Sequence, residues 1–174
     1  MDTSNFGFDP TQFTNAPLQT EGWIRFTDPP DKVFAQIKNH EGLTEWVPLL
    51  KKVTVTHPQA LPPGESMVGT KRTLKFQGGI TLVEQVVFWK APLCYAYDTH
   101  GKGFPLQDYI GLFGVIPEKN GGTFVFREYF TAKGRVKRAV IPHGLVLPMR
   151  QAFKKLSKLI GGIELDVRHV AKTK

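Results

Sequence analysis

Four charged residues interrupt segments that otherwise alternate like half-buried strands. Side chains on a strand point to opposite faces in turn, so parity assigns them. Between Thr70 and Phe76 one face carries Thr70, Arg72, Leu74 and Phe76; between Ile80 and Trp89 one face carries Ile80, Leu82, Glu84, Val86 and Phe88. A three-residue turn at Gln77-Gly78-Gly79 sets Phe76 opposite Ile80, Leu74 opposite Leu82 and Arg72 opposite Glu84. The apolar faces then coincide, with an Arg–Glu pair among them. Glu128 shares a face with Phe124, Phe126 and Phe130, and Asp108 shares one with Leu106, Ile110, Leu112 and Ile116. A buried charge is costly unless it is paired. Such a group either makes a structural cross-strand pair or forms a polar spot in an apolar cavity. In a cavity it can orient a ligand's carbonyl or hydroxyl. If the protein is an enzyme, Glu84 or Glu128 can move a proton beside a carbonyl, and Arg72 can hold the oxyanion.

Other chemistry finds little support. The five histidines (His40, His57, His100, His143, His169) show no metal-ligand spacing, and Cys94 is the single cysteine, read as a small buried hydrophobe. No metal and no cofactor are expected. His100, in a Gly-rich loop, is the histidine placed to border a cavity mouth.

The elements that must position these residues follow from the pattern. Residues 1–20 read as a flexible arm that Phe6, Phe8 and Phe13 can pin to the body. A strand is expected at 21–27, then a short helix that Asp28 caps and the prolines at 29 and 30 open, running to about His40. A second short helix carries Leu43, Trp46 and Val47. A strand at 53–56, a Pro/Gly-rich loop at 57–69 and strands near 70–76, 80–89, 93–99, 106–116 and 123–131 come next. Tyr95, Tyr97, Tyr109 and Phe113 are spread along them. The period then changes: Met149, Ala152, Phe153, Leu156, Leu159, Ile160 and Ile163 recur at three and four residues, an amphipathic helix. Pro142 and Pro148 begin or kink it. The sequence thus predicts an α+β fold of one domain at 21–170, followed by a basic tail at 171–174.

The chain has 174 residues with 23 Lys and Arg against 15 Asp and Glu, a net charge of +8. The denser basic zone, Lys133, Arg135, Lys137, Arg138, Arg150, Lys154, Lys155 and Lys158, suits a solvated face or a weak contact with an anionic membrane. Nucleic acid is not expected, because the aromatic residues are committed to the interior. With no secretory signal and no spanning stretch, the expectation is a cytoplasmic protein.

Particular segments resemble a known family. They are Asp28-Pro29-Pro30-Asp31-Lys32-Val33-Phe34, Glu45-Trp46-Val47-Pro48, Val68-Gly69-Thr70-Lys71-Arg72, Ala91-Pro92-Leu93-Cys94-Tyr95-Ala96-Tyr97 and Gly122-Thr123. Their order resembles the START/Bet v 1-like (SRPBCC) superfamily, the polyketide cyclase/dehydrase and lipid transport proteins, over about residues 21–165. The resemblance implies a helix-grip fold, a curved antiparallel sheet of about seven strands wrapped around the C-terminal helix. It also implies a cavity between sheet and helix for a lipid or other hydrophobic molecule. Members include carriers and enzymes, and no shared catalytic motif can be carried over. The expected ligand-binding residues are Arg72, Leu74, Leu82, Glu84, Val86, Tyr97, Asp108, Ile110, Leu112, Phe124, Phe126, Glu128, Met149, Phe153 and Leu156. Three readings stay open: a hydrophobic-ligand carrier, a cyclase or dehydratase using Glu84, Glu128 and Arg72, and an adaptor with a filled core.

Overall fold

The structure is a computed structural model and describes residues 3–58, 66–101, 104–132 and 134–170, without the side chains of 135–139. The predicted tail at 171–174, Lys133 and most of the loop at 57–69 therefore lie outside the described residues, as do the side chains of Arg135, Lys137 and Arg138.

Strand β1 (Leu18–Phe26) is followed by helices α1 (Pro30–Lys38) and α2 (Leu43–Trp46). Strands β2 (Leu50–Thr56), β3 (Lys71–Phe76), β4 (Thr81–Lys90), β5 (Cys94–His100), β6 (Leu106–Glu118) and β7 (Gly121–Ala132) form a meander. Helix α3 (Arg135–Leu159) and strand β8 (Gly162–His169) complete the chain. The sheet has eight strands in the order β2-β3-β4-β5-β6-β7-β1-β8, and the registered neighbours run antiparallel. β1 thus crosses the sheet to pair with β7, and β8 adds to its far side.

Local chemistry accounts for most boundaries. Pro30 opens α1, where a missing N–H costs nothing. Asp28, read as the cap, lies one residue too early; it pairs with Lys32 at 2.8 Å instead. α3 runs through both prolines without breaking. It stops where Gly161 takes a φ of 64°, a left-handed turn that suits glycine. The chain then reverses into β8. Ile163, assigned to the helix by its spacing, stands exposed on this eighth strand, while Val167 two turns of the pleat further on is buried against β1.

The sheet has two covered faces. On the concave face, α1, α2 and α3 pack over the inward side chains. Phe113, Phe124, Phe126 and Phe153 meet there with ring centroids 5.1–5.8 Å apart and fill one end solidly. On the convex face the N-terminal segment covers a second, smaller cluster. Residues 4–6 and 10–12 form single 3-10 turns, and Phe6 is buried against Cys94, Ala96, Ile110, Leu112 and Tyr129. Phe8 and Phe13 stack at 5.5 Å and lie edge-on to Phe88. Cys94 is buried, and burial pushes its thiol up to about 12.

Candidate functional site

The aromatic packing stops short of the other end of the concave face. There a cavity of about 240 Å³ opens between the sheet, the α2–β2 turn and α3. Its walls are Leu43, Trp46, Val47, Pro48 and Leu50 from α2 and its exit, Leu74, Phe76 and Leu82 from β3 and β4, and Phe104, Leu106, Tyr109, Phe113 and Phe126 from β6, its entry and β7. Leu145, Pro148, Met149 and Ala152 of α3 close it. The surface is almost wholly apolar, with two polar centres set into it.

The first is built by the β3–β4 register. Arg72 pairs with Glu84 and Leu74 with Leu82, as the three-residue turn requires. Arg72 Nε donates to Glu84 Oε2 in a tight ion pair. Its Nη1 donates to His40 Nδ1 at 3.0 Å and to the Tyr95 hydroxyl at 3.3 Å. Because a guanidinium only donates, the His40 proton sits on Nε2. Tyr95 donates in turn to the Ile37 carbonyl at 2.8 Å, and Thr99 donates to Glu84 Oε1 at 3.4 Å. The guanidinium also lies 4.4 Å from the centre of the Tyr97 ring. Arg72 is 2% and Glu84 7% exposed, so this centre is shut off from bulk solvent while both side chains form part of the cavity wall. Burial is the largest single influence and opposes the Arg72 charge, but Glu84, Tyr95 and Tyr97 together outweigh it and raise the pKa. Burial raises the Glu84 carboxyl, and Arg72 opposes that shift. Burial and the neighbouring Arg72 lower His40 to about 3, which keeps it neutral.

The second centre is Glu128 on β7. Its Oε1 accepts from the Tyr109 hydroxyl at 2.7 Å. Thr20, its partner across the β1–β7 ladder, bears on the carboxylate without a hydrogen bond of standard geometry, and Glu128 Oε2 lacks a partner among the described residues. With no cation beside it, burial raises Glu128 to about 7, against the opposing pull of Tyr109. Burial likewise raises the Tyr97 and Tyr109 phenols well above their ordinary values.

Of the sequence-predicted residues, Arg72, Leu74, Leu82, Glu84, Tyr97, Phe126, Glu128 and Met149 lie on the cavity wall. Phe124, Phe153 and Leu156 belong to the solid end of the concave core, and Val86 is buried in the same core away from the cavity. Asp108, Ile110 and Leu112 are placed on the wrong face by simple alternation. The β6–β7 register shifts between Gln107 and Ile110, and Asp108 takes a φ of 53°. That bulge inverts the parity of the rest of β6. Tyr109 and Phe113 therefore face the cavity, Ile110 and Leu112 turn to the convex cluster, and Asp108 is exposed. His100 is exposed at the end of β5, 3.8 Å from Asp98, and does not line the cavity. His40 and Trp46 are not among the residues the sequence assigns to the site, because a loop and a four-residue helix bring them there from far along the chain. Among the described residues no cluster of His, Cys, Asp and Glu suits a metal ion, and no helix is long and apolar enough to cross a membrane.

A curved antiparallel sheet that grips a long helix over an apolar cavity defines a helix-grip protein. The chain matches the polyketide cyclase/dehydrase and lipid transport family over residues 20–161, and it belongs to that family. It is similar to the solved structure of Zhui aromatase/cyclase from Streptomyces sp. R1128, with 12% identity, a TM-score of 0.66 and coverage of 83% of this chain and 94% of that one. It is also similar to a conserved protein from Geobacillus kaustophilus, at 18% identity, a TM-score of 0.62 and coverage of 86% and 99%. The protein XoxI from Bacillus cereus is similar at 21% identity, a TM-score of 0.61 and coverage of 83% and 96%. At these identities the likeness establishes the fold. No curated protein matches the chain in sequence.

Proposed function

We propose that the protein binds a compact hydrophobic molecule, or a single acyl chain, in the cavity and acts as a carrier. The observation that carries this reading is an apolar pocket under α3 whose walls hold the Arg72–Glu84 ion pair and the Tyr109–Glu128 hydrogen bond. Walls that stand apart forgo packing contacts with one another, so a fold that keeps such a space gives up stability that an occupant restores. At about 240 Å³ the space lies just below the roughly 300–1,000 Å³ of typical ligand sites, which suits one or two rings over a two-chain lipid. A core without a void, as the adaptor reading required, is not what the concave face contains.

The test is native mass spectrometry of the protein from its own source, beside a Met149→Trp variant. The indole fills the space from the α3 side. A co-purified mass lost in the variant is expected; equal loading of both proteins rules the cavity out as the site.

A second reading, a cyclase or dehydratase, draws on one observation: Glu128 lines the cavity with its carboxyl near half-protonation at neutral pH. Glu128→Gln is then expected to abolish turnover of a poly-β-carbonyl substrate while sparing its binding. Arg150, Lys154, Lys155 and Lys158 are exposed along α3. In the carrier reading they supply a weak attraction to anionic membranes.

A further inference from the structure

Beside the cavity, the α2–β2 and β3–β4 turns form a lip whose composition the fold itself does not require. Leu49, in the α2–β2 turn, is 64% exposed and has a φ of 63°. That left-handed backbone favours glycine or asparagine, and a branched apolar side chain is costly there on both steric and solvation grounds. Ile80, ending the β3–β4 turn, is 58% exposed. The two belong to one tip: Gln77 N donates to the Leu49 carbonyl at 2.8 Å, and Phe76 N donates to the Ile80 carbonyl at 2.9 Å. Between them Leu50 and Phe76, paired across the β2–β3 ladder, line the cavity.

The charge beside this tip has one sign. Lys51, Lys52 and Lys75 are exposed next to it, and Lys52 lies directly opposite Lys75 in the β2–β3 register. Like charges in that position repel unless an external anion screens them. Neither β2 nor β3 carries an acidic residue. The nearest acid on the preceding helix, Glu45, accepts from Gln36 at 3.4 Å. Lysines often guard an edge strand against pairing, which accounts for those on β2. It does not account for Lys75, because β3 lies inside the sheet, nor for the exposed Leu49 and Ile80.

We propose that this lip docks on anionic lipid bilayers, with Leu49 and Ile80 entering the interface and Lys51, Lys52 and Lys75 meeting the headgroups. Exposed apolar side chains beside lysines match the interfacial region of such a surface, where apolar burial and headgroup charge act together. This surface is separate from the basic face of α3, and vesicle binding needs no cavity ligand. Its failure therefore leaves the carrier reading standing.

The experiment is co-sedimentation of the full chain with vesicles of phosphatidylcholine alone, or with phosphatidylglycerol at roughly one lipid in three. Leu49→Asn suits the left-handed backbone, and Ile80→Thr keeps a branched strand residue, so both variants are expected to fold. The wild type is expected to bind the anionic vesicles only. The Leu49→Asn/Ile80→Thr double variant is expected to bind at least ~10-fold more weakly, and Lys52→Glu/Lys75→Glu more weakly by a similar factor. As a positional readout, Gln77→Cys is labelled with an environment-sensitive dye, the buried Cys94 being protected. Its emission is expected to shift to the blue on anionic vesicles, and that of Lys158→Cys on α3 is not. No binding of the wild type, undiminished binding by the tip variants, or a shift only at position 158 each overturns the proposal.

Discussion

Glu84 and Glu128 project from the same concave face, three strands apart, and both are buried against the same cavity, yet they live in different chemical company. Glu84 has a guanidinium against it, and that guanidinium is held by His40, Tyr95 and the Tyr97 ring. Glu128 has a phenol and no cation. The first carboxylate is held through both oxygens, by Arg72 and Thr99, although His40 Nε2 at the network's edge has no partner among the described residues. The second is held by one hydrogen bond and sits near half-protonation. Burial alone therefore does not say what a carboxylate is for; the neighbour that the strand register supplies decides it.

The largest blow to this contrast comes from Arg72→Met. Glu84 is then left buried without its partner, at a cost of about 3–5 kcal/mol. Urea unfolding measures it, and a companion Arg72→Met/Glu84→Leu variant is expected to recover most of the loss. A companion as unstable as the single variant would contradict an ion pair at the centre of that network.

A pH titration of stability sharpens the contrast next. Glu128 keeps its proton up to about pH 7 in the folded protein, against an ordinary value of 4.5. The folded state thus binds more protons between those values, and stability falls as pH rises through them. At about 1.4 kcal/mol per pH unit the full loss is on the order of 3 kcal/mol. His40 acts in the opposite sense. Its folded value is about 3 against an ordinary 6.5, so stability falls as pH drops from 6.5 toward 3. The two slopes oppose each other between pH 4.5 and 6.5. Glu128→Gln is expected to unmask the histidine's slope, and His40→Gln the carboxylate's. Parallel curves for the wild type and Glu128→Gln would mean that Glu128 titrates normally.

Tyr109→Phe has the smallest expected effect, about 1–2 kcal/mol, because it removes the hydrogen bond to a charged acceptor. It also moves the Glu128 titration further up, which a carboxyl-selective infrared band can follow.

How legible these two regions were in the sequence follows the same division. The Arg72–Glu84 centre lies on two strands joined by a three-residue turn, so parity and turn length specify the pairing locally. The rest of that network, His40 and Tyr95, arrives through long-range packing that no local pattern encodes. On β6 the local rule itself failed. One extra residue at the bulge exchanged the roles of Asp108 and Tyr109, so the phenol that holds Glu128 was read as just one of several strand aromatics. The eighth strand stayed hidden for a related reason. Ile163 falls at a spacing that extends the helix, and only the Gly161 turn separates the two. The wall of apolar strand residues was legible; the space behind it was not, since periodicity reports which way side chains face and not how far apart the layers stand.

Gly111 on β6 lies directly beneath the ring of Tyr97, its partner on β5, and a methyl group there would occupy the space of the phenol's hydroxyl end. Tyr97 lies low because of that bare backbone, and the Arg72 side chain rests on it in turn. The depth of the hollow is thus set from its floor. One alanine at this position would raise the ring, lift the cation above it and make the chamber shallower, so the size of guest it admits is governed by a residue with no side chain to touch it.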